Sequence, residues 1–119
     1  MQNTIKLYGI PNCSTVKKAR DWLAAHEIPV EFHDFKKQGI SEADLTQWLN
    51  QIPHEKLINR SSLTWRGLDE KTKNSITDNT SAIALMQAKT SLIKRPLLVK
   101  DGVILHAGFD ESRYAEIFN

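Results

Sequence analysis

The chain has one cysteine, Cys13, in the stretch YGIPNCSTVKKA. Gly9, Pro11 and Asn12 mark a turn before it, and a helix-periodic run opens at Ser14 immediately after it. A thiol in that position meets unpaired backbone N–H groups and the positive end of a helix dipole, both of which favour the thiolate. Cysteines so placed can have pKa values lowered to about 3.5–7.5, and a neighbouring lysine such as Lys17 or Lys18 adds to the effect where it faces the sulfur. Cys13 is therefore a candidate nucleophile. The competing reading is a small packing residue, and the local sequence leaves both open.

A second group of residues lies in SLIKRPLLVKDG, where Pro96 stands directly before an apolar strand. An X-Pro bond in that place can be cis and hold the preceding backbone against whatever lies opposite. Arg95 carries a planar fork suited to an oxyanion or a carboxylate, with a solvated side chain as the alternative. Arg60 and Arg66, in NRSSLTWR, pose the same choice. Metal chemistry has little support. His26, His33, His54 and His106 are scattered, and no C-x-x-C or H-x-x-x-H pair offers two ligands.

The elements that must position these groups follow from periodicity. Ile5 to Ile10 reads as a buried strand entering a turn, and Val16, Ala19, Trp22, Leu23 and His26 recur on one face of a helix from Ser14 to Glu27. Pro29 ends that helix, and a second strand holds Val30, Phe32, Asp34 and Phe35, the last of which breaks the strict alternation. The short crossover predicts a parallel pair. Ser41 and Asp44 resemble a capping box before Leu45, Trp48, Leu49 and Ile52, which keep helical spacing. HEKLINRSSLTWRG reads as an irregular basic segment. Helices are predicted over 69–74 and 79–89, the latter with Ile83, Leu85 and Met86 inward. The block 39–90 contains no good strand. Leu97–Val99 and Val103–Leu105 flank the turn signal Asp101-Gly102 and form a hairpin; a last helix, capped by Asp110, turns Tyr114 and Ile117 or Phe118 inward.

Composition narrows the class. With 119 residues, 40% hydrophobic and 25% charged, the chain suits one soluble domain with an adequate core. Sixteen basic and 14 acidic residues give a net charge of +2, spread without the basic stripe that nucleic acid requires. No stretch approaches the roughly 20 apolar residues of a membrane span, and the N-terminus lacks a signal-type apolar run. A lone cysteine favours a reducing compartment. The expectation is a cytoplasmic monomer with no nucleic-acid or membrane partner.

LYGIPNCSTVKKARDWL, INRSSLTWR, SLIKRPLLV and AGFDESRY, in that order, resemble the ArsC/Spx family, and especially its YffB-like branch of ArsC-related proteins. The resemblance runs nearly end to end. It implies an α/β, thioredoxin-like mixed sheet (βαβ…ββα), formed by 1–38 and 91–119, with a helical insertion over 39–90. Under it Cys13 matches the active-site cysteine, Arg60 an arginine of the middle segment, and Arg95-Pro96 the pair opposite the thiol. Glutaredoxin-linked arsenate reductases bind and attack their oxyanion with these groups. They carry a further arginine where this chain has His106, Ala107 and Gly108. Spx-type regulators often carry C-x-x-C, and Val16 holds its second position here. The C-x5-R loop of phosphatase-like reductases is also absent, since Arg20 lies one position too far along.

One cysteine leaves any adduct on Cys13 without an internal thiol to resolve it, so an external thiol must act. Glutathione is the natural co-substrate, with no bound cofactor. The leading expectation is a glutathione-dependent thiol reductase in which Cys13 forms a mixed disulfide or substrate adduct. Arg60 and Arg95 orient anionic groups, the backbone beside Pro96 pairs with the peptide, and Asn12 and Lys17 complete the binding residues. A glutaredoxin-linked arsenate reductase and a non-enzymatic, Spx-like adaptor binding RNA polymerase are the two alternatives.

Overall fold

The computed structural model describes residues 4–119, which divide into two units: residues up to Gln38 with Arg95–Asn119, and Gly39–Lys94. The first unit contains a four-stranded sheet. Strand β1 (Ile5–Gly9) leads to helix α1 (Ser14–Ala25), strand β2 (Glu31–Asp34) and the short helix α2 (Phe35–Gln38). After the second unit come β3 (Leu97–Lys100), β4 (Val103–Ala107) and the last helix (Glu111–Ile117). The strand order is β2-β1-β3-β4. β1 and β2 are parallel, with Leu7 opposite Phe32, as a strand–helix–strand crossover requires; β1–β3 and β3–β4 are antiparallel.

β1 and β3 are the inner strands, and Leu7, Tyr8, Leu97, Leu98 and Val99 are all buried. Leu7 and Leu98 join Ala19, Trp22 and Leu23 of α1 and Tyr114 of the last helix in one core cluster. Tyr114 stands edge-on to Trp22 and Phe109. The hairpin closes through Asp101 and Gly102, at φ +51° and +81°, the two left-handed residues of a tight two-residue turn.

α1 stops at Ala25, two residues before the expected end. Glu27 adopts φ +56°, its N–H donates to Ala24 O, and the N–H of Ile28 reaches back to Leu23 O. This is a Schellman closure with glutamate where glycine is usual, and Ile28 then packs against the core. His26, expected on the inner face, is exposed, although its ring stacks on Trp22 at 3.8 Å. Phe35 is not part of β2; it opens α2 after the Asp34 carboxylate accepts the N–H of Lys36.

The second unit is helical: α3 (Glu42–Leu49), α4 (His54–Leu57), α5 (Leu63–Arg66), α6 (Glu70–Asn74) and α7 (Asn79–Ala88). The last helix of the first unit is accordingly α8. Ser41 Oγ caps the N–H of Asp44, and Leu45, Trp48 and Leu49 are buried. A reciprocal capping box forms instead at Asp78 and Ser81. The segment expected to be irregular contains α4 and α5, the latter capped by Ser62. On α7, Ala82 and Met86 are the fully buried residues, while Ile83 and Leu85 are only half-buried.

Residues 91–94, expected with the sheet unit, belong to the helical one. Ile93 forms an antiparallel bridge with Ile58, the N–H of Asn59 donates to Leu92 O, and that of Lys94 to Leu57 O. The unit boundary therefore falls at Arg95. Among the described residues, no helix is long and apolar enough to cross a membrane.

Candidate active site

The site is built around the turn from β1 into α1. Gly9 ends β1, and a Cβ there would come within 2.8 Å of Val16 Cγ2, so the absence of a side chain lets the helix approach the strand. Cys13 is the N-cap of α1, with extended backbone (φ −104°, ψ 126°), and its carbonyl accepts the first helical bond, from the N–H of Lys17 at 2.9 Å. The thiol is half-buried. Its burial works against ionisation. The opposing influences together are stronger: the N–H of Val16, a hydrogen bond from the Arg95 guanidinium, the N–H of Thr15 and the charge of Arg95. The net effect holds the Cys13 thiol below its ordinary pKa.

Arg95 reaches the thiol from the turn just before β3, the antiparallel neighbour of β1. The Arg95–Pro96 peptide bond is cis, and Pro96 is buried. The Pro96 carbonyl accepts the N–H of Gly108 at 2.8 Å, which ties the Arg95-Pro96 turn to the end of β4. Gly108 takes φ +91°, a conformation that glycine adopts freely. Thus His106-Ala107-Gly108, which supplies no guanidinium, contributes backbone that fixes the turn carrying one.

The other candidate residues divide. Asn12 is exposed in the turn beside Cys13. Lys17 does not serve the sulfur: its Nζ pairs with Asp21 Oδ2 at 2.6 Å, one turn down the helix. Arg60 lies in the helical unit, with its guanidinium 5.1 Å from the centre of the Trp65 ring, and Arg66 donates to Ser61 O. Arg113 pairs with Glu116 on α8. The N–H groups of Thr15 and Val16 are the unpaired backbone donors expected at the start of the helix, whereas the close approach at Gly9 and the tie at Gly108 are contributions that sequence reasoning did not name. A glycine one turn before a helix start is the signal that marks the first of these.

A parallel strand–helix–strand unit followed by an antiparallel hairpin, with a cysteine at the N-cap position of the first helix and a cis-proline turn before the hairpin, defines a thioredoxin-like thiol protein. More narrowly, residues 8–117 match the model of the ArsC family, and the chain belongs to that family. An uncharacterized protein of Haemophilus influenzae is 45% identical over 114 residues, 96% of this chain and 98% of its own. The solved structure of a YffB protein is 40% identical with a TM-score of 0.90, covering 98% of this chain and all of its own. An arsenate reductase (ArsC) related protein of Brucella melitensis is also 40% identical, with a TM-score of 0.77 and coverage of 100% and 98%. The global transcriptional regulator Spx 1 of Lactococcus lactis is 30% identical over 90% of this chain and 83% of its own. The family thus includes reductase-like and regulatory relatives.

Proposed function

We propose that the protein is a glutathione-dependent thiol reductase with Cys13 as its nucleophile. The observation that carries this reading is the approach of the Arg95 guanidinium to the one thiol of the chain, at the N-terminus of α1. In the first step the Cys13 thiolate attacks the glutathionyl sulfur of a mixed disulfide. A Cys13–glutathione disulfide forms, and the substrate thiolate leaves and takes a proton from water. A second glutathione thiolate then attacks that sulfur, releasing glutathione disulfide and restoring the Cys13 thiolate. The substrate disulfide is reduced, two glutathione units are joined, and no second protein cysteine is required. Arg95 acts by holding the sulfur anionic. The edge of the cis Arg95–Pro96 turn offers backbone for the glutathione peptide. Glutaredoxin is the alternative external thiol, and the cytoplasm, rich in glutathione, is the compartment that suits the cycle.

Alkylation of Cys13 as a function of pH, followed by turnover of a glutathione mixed disulfide, tests this reading. The expected midpoint lies below that of a free cysteine, and Cys13→Ser abolishes turnover. An ordinary midpoint, or turnover that survives Cys13→Ser, refutes it. An adaptor function is the second reading; Leu63 on α5, 82% exposed, is the most exposed large hydrophobic residue among the described residues and offers an apolar contact for a partner. A Cys13→Ser variant that rescues a deletion phenotype decides for the adaptor.

A further inference from the structure

Beside the thiol loop, within the sheet unit, lies an open cleft of about 460 Å³ that the reaction described above does not use. It is lined by Pro11, Arg20, Phe32, Asp34, Lys37 and Gln38. Pro11 is two residues before Cys13, so the cleft begins at the turn that presents the sulfur. Its volume is within the range of about 300–1,000 Å³ typical of ligand sites.

The lining has a definite chemistry. The Arg20 guanidinium carbon lies 4.2 Å from the centre of the Phe32 ring, which fixes the orientation of its donors. Neither Arg20 nor Lys37 has a carboxylate partner among the described residues, whereas Lys6, Lys17, Lys73 and Arg113 each do. Gln38 Oε1 accepts the N–H of Asp34, leaving its amide N–H groups free to donate. The Asp34 side chain is largely buried and accepts the N–H of Lys36, so the accessible charge of the cleft is positive. β2 is an edge strand, with no strand on its outer side among the described residues. An edge with open backbone groups accepts an extended peptide better than a compact ion.

We propose that this cleft is a second subsite of the Cys13 reaction and takes an acidic segment of the peptide that bears the disulfide. The proposal rests on the reductase reading for its role, but not for its binding. Arg20 and Lys37 hold carboxylates, Phe32 supports the guanidinium, and the preference falls on cysteines flanked by aspartate or glutamate. Arg20 and Lys37 are thus specificity residues that touch the substrate away from the reacting sulfurs.

Two measurements test the subsite and separate it from the reductase reading. In the first, a short peptide with glutamates flanking a serine in place of cysteine is titrated against the protein, with NMR signals of Arg20 and Phe32 followed. The expected result is saturable shifts, about tenfold weaker binding for the glutamine analogue, and loss of that difference in Arg20→Met/Lys37→Met, as for loss of a partly desolvated charge contact. Equal affinity of the two peptides, or shifts at Arg20 and Phe32 with glutathione alone and not with the acidic peptide, overturns the proposal. In the second, the corresponding cysteine peptides are supplied as glutathione mixed disulfides. A preference of about tenfold in kcat/KM, expressed in KM and abolished in the double variant, is expected. Exchange without preference overturns the subsite and leaves the reductase reading standing; acidic peptide that binds but does not exchange does the reverse.

Discussion

Gly9→Ala is the most direct test of how the fold creates the site. The added Cβ would stand 2.8 Å from Val16 Cγ2. Val16 is fully buried, and a β-branched side chain on a helix has one strongly preferred rotamer, so it has no free end to swing away. Overpacking of this kind costs about 1–3 kcal/mol, against a gain of about 0.4–1 kcal/mol from the stiffer unfolded chain. The net loss expected in urea unfolding is about 1–2 kcal/mol. Val16→Ala alone costs about 2 kcal/mol through lost burial, but it also removes the atoms that the new Cβ meets. The double variant is therefore expected to be no less stable than Val16→Ala alone, with a coupling energy of about 1–2 kcal/mol. The same pair has a chemical readout. Displacing the first turn of α1 moves the Val16 N–H away from the sulfur, so the alkylation midpoint of Gly9→Ala rises above that of the wild type and returns in the double variant. Additivity of the two stability losses within about 0.5 kcal/mol refutes the reasoning.

Four further outcomes follow from the structure. Arg95→Met removes both a hydrogen bond and a charge from the thiolate, so the Cys13 alkylation midpoint moves to higher pH. Because the thiol pKa is lower folded than unfolded, wild-type stability rises with pH between the two values, and urea unfolding of Cys13→Ser lacks this rise. The Tyr114 hydroxyl is buried with no hydrogen-bond partner among the described residues, and burial pushes its pKa far above the usual tyrosine range. Tyr114→Phe is expected to leave stability unchanged or raise it by up to about 1 kcal/mol near neutral pH. Above pH of about 10, where the unfolded tyrosine ionises and the folded one does not, the wild type loses stability that the variant keeps, as unfolding at pH 7 and 11 will register. Glu27→Gly relieves a left-handed backbone and should stabilise by about 0.5–1 kcal/mol in thermal unfolding; a loss of stability would show that the Glu27 side chain outweighs its backbone.

The parts of the structure legible in the sequence are those with several concordant signals. α3 has a capping serine and buried residues at helical spacing; the β1–α1–β2 unit combines apolar runs with turn residues; Asp101-Gly102 dictates its own turn. α4 and α5 were illegible because four residues make one turn, too little for periodicity, and such helices depend on a cap such as Ser62 and on their surroundings. Phe35 looks like a strand residue out of phase until Asp34 is seen to start a new helix. At the site, the sequence placed Lys17 near the sulfur but not its direction, which Asp21 four positions on takes over. Gly108, notable in the sequence for lacking a side chain, proves useful for its N–H. Backbone donors carry no residue-type signature of their own, and those of Thr15 and Val16 were legible only because a helix start could be read after Cys13.

The sheet unit takes its two segments from opposite ends of the chain, with the helical unit encoded between them. During synthesis the thiol loop and its helix emerge first, while Arg95 and β3 are not made until the whole helical unit has passed. β1 must wait with one side unpaired, since its neighbour β3 closes a loop of most of the chain's length. A nascent or truncated chain ending at Lys94 therefore carries the cysteine without the guanidinium that helps to lower its pKa. The full lowering of the thiol pKa belongs only to the finished polypeptide, so an incomplete product has a sulfur that ionises less readily than that of the folded protein.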